Sequence, residues 1–206
     1  MPKPNFRKLI LRGGAVFLAL VLAVPSAFAG SPSEVVETFH QTLLDVMKRA
    51  AELKLRGRYE QLTPPIETTF NLSVMIQVAS GTKWRGASDE EKAKLIDAFR
   101  RVSVGTYAAR FDGFSGEKFE TVGEQDGPSG SRLVLTRIMR PNKDAVPLTY
   151  VTRKFGDDWR VVDVIVSGGI SELAVRRSEY NTILNDGGPK ELIARLNQKA
   201  DQMLAN

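Results

Sequence analysis

Apolar residues recur every three or four positions between residues 31 and 111, a spacing that predicts helices. The first helix begins at Ser31-Pro32-Ser33-Glu34, which supplies a capping serine, a first-turn proline and a glutamate three residues after the cap. Its apolar stripe ends at Gly57. A short apolar helix follows the break at Pro64-Pro65 and closes at Gly81, and a second capping box at residues 88–91 opens a long amphipathic helix.

After Gly113 the apolar positions alternate instead, which predicts β-strands at residues 118–122, 131–140, 146–155 and 159–166. The links between them are too short for a parallel crossover, so neighbouring strands must be antiparallel. Two further helices are predicted, at residues 170–184 and from Pro189 onward. The pattern therefore predicts one α+β domain with N-terminal helices, a four-stranded antiparallel sheet and two C-terminal helices.

The first 29 residues have a different pattern. An apolar run at residues 15–24 is too short to span a bilayer and leads to Ala27-Phe28-Ala29, with small residues where signal peptidase requires them. Four basic residues and no acidic residue precede the run: Lys3, Arg7, Lys8 and Arg12. We expect residues 1–29 to be a cleaved secretory signal peptide and residues 30–206 to be the exported domain. An uncleaved membrane anchor is the alternative.

Charge and composition exclude several classes of function. The formal charge of +5 falls to +1 once the four basic residues of the expected signal peptide are removed, so no nucleic-acid partner is predicted. The chain has no cysteine and one histidine, which excludes disulfides, a cysteine nucleophile and a site built from several histidines. The chain is rich in large apolar residues, with two tryptophans, ten phenylalanines and five methionines, and shows no set of catalytic residues. This composition favours a protein that holds an apolar ligand over an enzyme.

A few polar residues are candidates for chemistry. His40 lies one position past the apolar stripe of the first helix, so we expect a solvated or boundary side chain. Asp163 lies between valines on the last strand. It is either a buried base with a raised pKa or, as we favour, an aspartate bonded to a backbone turn or an arginine. Arg100-Arg101 and Arg176-Arg177 either face solvent or contact an anionic head group or a partner.

Two stretches carry an ordered set of motifs. The first comprises Gly81-Thr82-Lys83-Trp84-Arg85, residues 88–91, Phe99-Arg100 and Thr106-Tyr107. The second comprises Thr136-Arg137-Ile138-Met139-Arg140-Pro141, Trp159-Arg160-Val161-Val162-Asp163-Val164, Gly169-Ile170-Ser171, Arg177-Ser178 and Leu192-Ile193-Ala194-Arg195-Leu196. Together they resemble the MlaC, or toluene-tolerance, family across roughly residues 35–196.

This resemblance implies a periplasmic lipid carrier with an α+β fold, in which helices and a curved sheet form a deep apolar pocket for acyl chains. The expected partners are a lipid ligand, an inner-membrane ABC transporter complex and an outer-membrane complex. No nucleic acid, cofactor, metal or catalytic residue is expected, and the protein is expected to be a monomer.

Two departures from the family pattern bear on the ligand. Val175-Arg176-Arg177-Ser178 keeps only the Arg-Ser of the usual Asn-Tyr-Arg-Ser, and Ser167-Gly168-Gly169 has two glycines where one is usual. Both features resemble the HpnM branch, which is associated with hopanoid lipids. A phospholipid and a hopanoid-type lipid are therefore both expected ligands.

The resemblance places the long helix against the lipid, so Phe99 and Tyr107 are expected to line its cavity. Truncating such a residue to alanine would then lower the free energy of unfolding by less than the roughly 3–5 kcal/mol expected for a Phe→Ala change in a packed core. The full set of expected lipid-binding residues is Leu43, Met47, Met75, Trp84, Phe99, Tyr107, Phe111, Leu135, Val151, Trp159 and Val164. Two other interpretations stay open: a cavity enzyme of the steroid-isomerase type using Asp163 or His40, and a lipid-free periplasmic adaptor with a dry core.

Overall fold

The computed structural model describes residues 30–205, which contain six α-helices, five strands and a 3-10 turn at Pro128–Gly130. The helices are α1 (Pro32–Lys48), α2 (Ala50–Thr69), α3 (Leu72–Ser80), α4 (Lys83–Gly86), α5 (Asp89–Arg110) and α6 (Glu172–Leu204). The strands are β1 (Lys118–Asp126), β2 (Arg132–Arg140), β3 (Lys143–Phe155), β4 (Asp158–Val166) and β5 (Ile170–Ser171). The predicted signal peptide, residues 1–29, lies outside the described residues.

Both predicted capping boxes are confirmed. The Ser31 hydroxyl accepts the Glu34 N–H at 3.2 Å, and the Glu34 carboxylate accepts the Ser31 N–H at 2.7 Å. Ser88 and Glu91 make the same pair of hydrogen bonds at the start of α5. These caps satisfy backbone donors that the first turn of a helix leaves free, so α1 and α5 begin where the local sequence directs.

The predicted helix that extends to Gly57 is wrong, because the structure divides this region between α1 and α2. Within α2 the backbone is also interrupted at Lys54, where φ is 53°. In a regular helix the Ala50 carbonyl would accept the Lys54 N–H. Here the buried Arg58 guanidinium donates to the Ala50 carbonyl at 3.1 Å, and to the Ala108 carbonyl of α5 at 2.8 Å. A contact between distant segments thus stabilises the interruption.

The predicted break at Pro64-Pro65 is also wrong, since α2 continues through both prolines to Thr69. The fixed φ of proline is compatible with a helix, and the cost is the loss of two N–H donors. Neighbouring threonines hydrogen-bond carbonyls in this region. Thr63 donates to the Tyr59 carbonyl at 2.8 Å, and Thr68 donates to the Pro64 carbonyl at 3.1 Å.

The sheet has the order β1-β2-β3-β4-β5, with each strand antiparallel to the next. The antiparallel meander is as predicted, but the prediction of four strands misses β5. Gly168 and Gly169 both have φ of 81°, which turns the chain back so that Ser171 pairs with Ile165. The predicted helix at Ile170 consequently begins two residues later, as α6.

The two predicted C-terminal helices are joined in a single element, α6. The predicted break is present within it at Gly188, where φ is 67° and ψ is −164°, followed by Pro189. Positive φ is accessible to glycine at little cost, so the backbone bends there while the segments on both sides remain helical. Arg101 of α5 donates to Asn197 and Asp201, which fastens the second segment of α6 to α5.

The core lies between the helices and one face of the sheet. Val134, Tyr150 and Val164 are adjacent in register on β2, β3 and β4 and are all buried. Helix α1 contacts β1, β2 and β4, while α5 and α6 pack together. No helix within residues 30–205 is long and apolar enough to cross a membrane.

Candidate functional site

A cavity of about 240 Å³ lies between the helices and the buried face of the sheet. Most of its lining is aliphatic or aromatic, and the polar groups come mainly from α5 and α6. Helical segments and the residues that follow them contribute Ile66, Phe70, Leu72, Met75, Ser103, Thr106, Tyr107, Arg110, Phe111, Glu172 and Arg176. The sheet contributes Ile138, Val146, Leu148, Tyr150, Val164 and Val166.

An aromatic cluster forms one wall of the cavity. Phe39, behind this wall, packs edge-to-face against Phe70 and Tyr107, with ring centroids 5.2 and 5.4 Å apart. Tyr107 stacks on Phe111 at 5.7 Å. These contacts pack the rings against one another, so this wall is apolar.

Ser103, Thr106, Tyr107 and Arg110 form a polar stripe along α5. Their spacing of three, four and seven residues places them on one face of the helix, and all four line the cavity. The Thr106 hydroxyl donates to the Val102 carbonyl at 2.7 Å. Burial raises the pKa of Tyr107 above its ordinary value, so its hydroxyl stays protonated.

Two arginines and one glutamate mark the polar end of the cavity. The Arg110 guanidinium lies 3.4 Å from the Glu172 carboxylate, and the Arg110 side chain is 62% exposed, so this end reaches solvent. Arg176 lies over the Phe99 ring at 5.2 Å and donates to the Tyr180 hydroxyl at 3.4 Å. With one carboxylate against two guanidinium groups, this end carries net positive charge and suits an anionic group.

Of the residues that the sequence points to as lipid-binding, the structure brings four together around the cavity: Met75, Tyr107, Phe111 and Val164. Leu43, Met47 and Phe99 are buried elsewhere in the core. Trp84 and Trp159 line two separate surface grooves. Leu135 and Val151 alternate with buried strand residues and therefore lie on the face of the sheet away from the helices.

Sequence reasoning missed most of the cavity lining, notably Ser103, Arg110, Glu172 and the sheet residues of β2 and β3. The helical spacing of Ser103, Tyr107 and Arg110 was an available signal on α5. No comparable local signal separates the sheet residues from ordinary core residues, because a strand has the same alternation whether its inner face meets a helix or a cavity.

The prediction of a solvated or boundary His40 is wrong. Its residue is 2% exposed, its ring stacks on Phe119 with centroids 4.1 Å apart, and its Nε2 is 3.0 Å from the Tyr150 hydroxyl. Burial lowers the pKa of His40 to about 4, so the ring is neutral at pH 7. His40 lies behind Tyr150 and does not line the cavity.

The interpretation of Asp163 as an aspartate bonded to a backbone turn is confirmed. Its carboxylate accepts the N–H groups of Val164 and Leu173 at 2.8 and 3.0 Å and the Ser171 hydroxyl at 2.5 Å. These bonds tie β4 to the start of α6, and Asp163 does not line the cavity. Among residues 30–205, no three His, Cys, Asp or Glu side chains come together in a way that could hold a metal ion.

A family comparison fits this architecture. The sequence model of the MlaC protein family matches residues 37–198, which is most of the chain. The chain belongs to the MlaC family. No curated protein sequence matches it.

Among solved structures, the chain is similar to a phospholipid-binding protein from Ralstonia solanacearum, determined in complex with a phospholipid. The TM-score is 0.75, and the match covers 85% of this chain and 99% of the other. Sequence identity is 18%, so the likeness shows a shared fold.

Proposed function

We propose that this MlaC-family protein is a periplasmic carrier that holds a phospholipid in the cavity and moves it between an inner-membrane ABC transporter complex and an outer-membrane complex. The observation that carries the proposal is an apolar cavity with Arg110 and Arg176 at its polar end. The family and the phospholipid-bound Ralstonia structure of the same fold support it.

The cavity fits a lipid with separate apolar and charged parts. Acyl chains would lie against the aromatic wall and the sheet, where each buried CH₂ contributes about 0.8 kcal/mol. The phosphate would lie near Arg110 and Arg176, since guanidinium groups bind phosphate with paired hydrogen bonds. Such burial opposes spontaneous release, which is why a carrier needs membrane partners to unload.

The cavity must widen to take a whole diacyl lipid. Its volume of about 240 Å³ is below the roughly 300–1,000 Å³ of pockets for drug-sized ligands. Met75 lies on the wall between α3 and the sheet, and its unbranched side chain adopts many shapes at low cost. We propose that acyl chains enter by displacing such flexible walls.

The positive end of the cavity favours a phospholipid over a hopanoid-type hydrocarbon, because the latter offers no phosphate to Arg110 and Arg176. Neither candidate base of the steroid-isomerase alternative lines the cavity: the Asp163 carboxylate accepts from three donors elsewhere, and His40 is buried behind Tyr150. The alternative of a lipid-free adaptor would be favoured if lipid analysis of the purified protein found no bound lipid.

Export is proposed from the sequence of residues 1–29. Cleavage after Ala29 would leave Gly30 as the first residue of a periplasmic protein. N-terminal sequencing of the protein from its host's periplasmic fraction checks this. An intact Met1 species in the cytoplasm would overturn the proposed location.

Lipid extraction and mass spectrometry of the protein purified from its own host test the carrier proposal. Val146→Trp should obstruct the cavity and abolish co-purified phospholipid. Val122→Trp is the matched control, because Val122 is 64% exposed on β1 and lies outside the cavity lining. Wild-type protein without lipid, or equal lipid content in both variants, would contradict the proposal.

A further inference from the structure

Two buried hydroxyl groups, those of Ser80 and Ser103, have no hydrogen-bond partner among residues 30–205. Ser80 is 3% exposed and Ser103 is 6% exposed. A buried hydroxyl without a partner destabilises the fold, so native proteins contain few of them. Only Ser103 of the two lines the cavity, where a ligand could supply its partner.

The position of Ser103 relates it to the charged end of the cavity. Ser103 precedes Arg110 on the same face of α5 by seven residues, which is an axial distance of about 10 Å. The Arg110 guanidinium lies at the C-terminal end of α5 against the Glu172 carboxylate, so the charged group and the Ser103 hydroxyl are at different depths along this face. Going inward from Arg110, a ligand therefore meets this guanidinium first and then the free hydroxyl of Ser103, while Arg176, which lies over Phe99 one turn before Ser103, is level with that hydroxyl.

The same order of groups occurs in a diacyl phospholipid: an anionic phosphate, then ester carbonyls, then hydrocarbon chains. The Thr106 hydroxyl, the next along the stripe, already donates to the Val102 carbonyl. Ser103, unlike Thr106, therefore has an unused hydroxyl donor on the cavity face of α5.

We propose that Ser103 donates a hydrogen bond to an ester carbonyl of the bound lipid and that this bond makes the carrier prefer ester-linked, anionic glycerophospholipids over ether-linked ones. This inference rests on the proposed lipid-carrier function and adds the linkage that the cavity selects. Arg110 and Arg176 select the phosphate in the same ligand.

The test uses delipidated protein and vesicles of dioleoyl phosphatidylglycerol or of its ether-linked counterpart, which has the same charge and chain length but no carbonyl. Wild-type protein should bind the ester lipid about two- to tenfold more tightly, the range expected for one hydrogen bond. Ser103→Ala should lower ester affinity to the ether value and leave ether affinity unchanged.

Ser80→Ala is the matched control, since it removes an equally buried, unpartnered hydroxyl outside the cavity. It should leave both affinities unchanged. Arg110→Gln should weaken both lipids equally and preserve their ratio, because it acts on the shared phosphate. Alanine is a better helix former than serine, so both serine variants should fold.

An unchanged ester-to-ether ratio in Ser103→Ala would overturn the assignment, as would an equal loss of ester preference in Ser80→Ala. Equal affinity of the wild-type protein for the two lipids would overturn it without using any variant. In each of these three cases the proposed carrier function would stand. Binding of neither lipid by the wild-type protein would overturn the proposed function and this inference together.

Discussion

The His40 ring is enclosed by Phe119 and the Tyr150 hydroxyl, and burial lowers its pKa from 6.5 to about 4. Between those two values the unfolded chain binds a proton that the folded protein does not. The contribution of neutral His40 to the unfolding free energy is therefore fully present above pH 6.5 and decreases as the pH falls toward 4. We predict that the free energy of unfolding in urea drops by about 2 kcal/mol between pH 7 and pH 5.

His40→Gln isolates this contribution, because glutamine does not titrate and can still hydrogen-bond the Tyr150 hydroxyl. The unfolding free energy of this variant should fall less than that of the wild-type protein between pH 7 and pH 5. If both proteins lost equal stability between pH 7 and pH 5, His40 would not be the group responsible.

Asp163 is predicted to matter for stability alone. Asp163→Ala removes the acceptor of the Leu173 N–H and the Ser171 hydroxyl, so we expect a loss of about 1–3 kcal/mol. Urea unfolding measures this, with Asp157→Ala in the exposed turn between β3 and β4 as a near-neutral control. A fall in lipid affinity without a fall in stability would instead place Asp163 in the ligand site.

At the scale of elements, α5 presents different faces to the core and to the cavity. Phe99 is completely buried and meets Tyr180 edge-to-face at 6.5 Å, whereas Phe111, just past the helix, lines the cavity. The sequence-based expectation grouped Phe99 with the cavity. The packing indicates that truncating Phe99 opens a hole in a filled interior.

We therefore predict that Phe99→Ala lowers the unfolding free energy of the lipid-free protein by about 3–5 kcal/mol. Phe111→Ala should lower the unfolding free energy by less, because it enlarges a cavity that already exists. It should also reduce the content of bound lipid more than Phe99→Ala does. Urea unfolding of delipidated protein and lipid analysis of the same preparations measure both effects. A smaller loss for Phe99→Ala than for Phe111→Ala would reverse the assignment of the two faces.

At the scale of the whole molecule, the cavity couples lipid binding to folding. A ligand held between the helices and the sheet binds the folded chain only, so it must stabilise the entire domain. We predict that phosphatidylglycerol at about 100 times its dissociation constant raises the unfolding free energy by about 2.7 kcal/mol. Val146→Trp should abolish this gain, while Val122→Trp should retain it.

The local sequence determines where several elements begin or end. Ser31 and Ser88 cap α1 and α5 with their own neighbours, Gly81 closes α3, and Gly188 breaks α6 at the predicted place. These signals act over a few residues, so they can be read without a fold. The meander is equally local in origin, because short links allow only antiparallel neighbours.

Tertiary contacts decided what the sequence could not. The interruption in α2 depends on Arg58 reaching the Ala108 carbonyl fifty residues away, and the burial of His40 depends on Tyr150. The cavity is the clearest example. An apolar residue such as Phe99 or Phe111 fits the same helical sequence pattern whether its side chain packs in the core or lines a cavity. Sequence determined which faces are apolar, and only the spacing of helices and sheet decided where those faces leave room for a ligand.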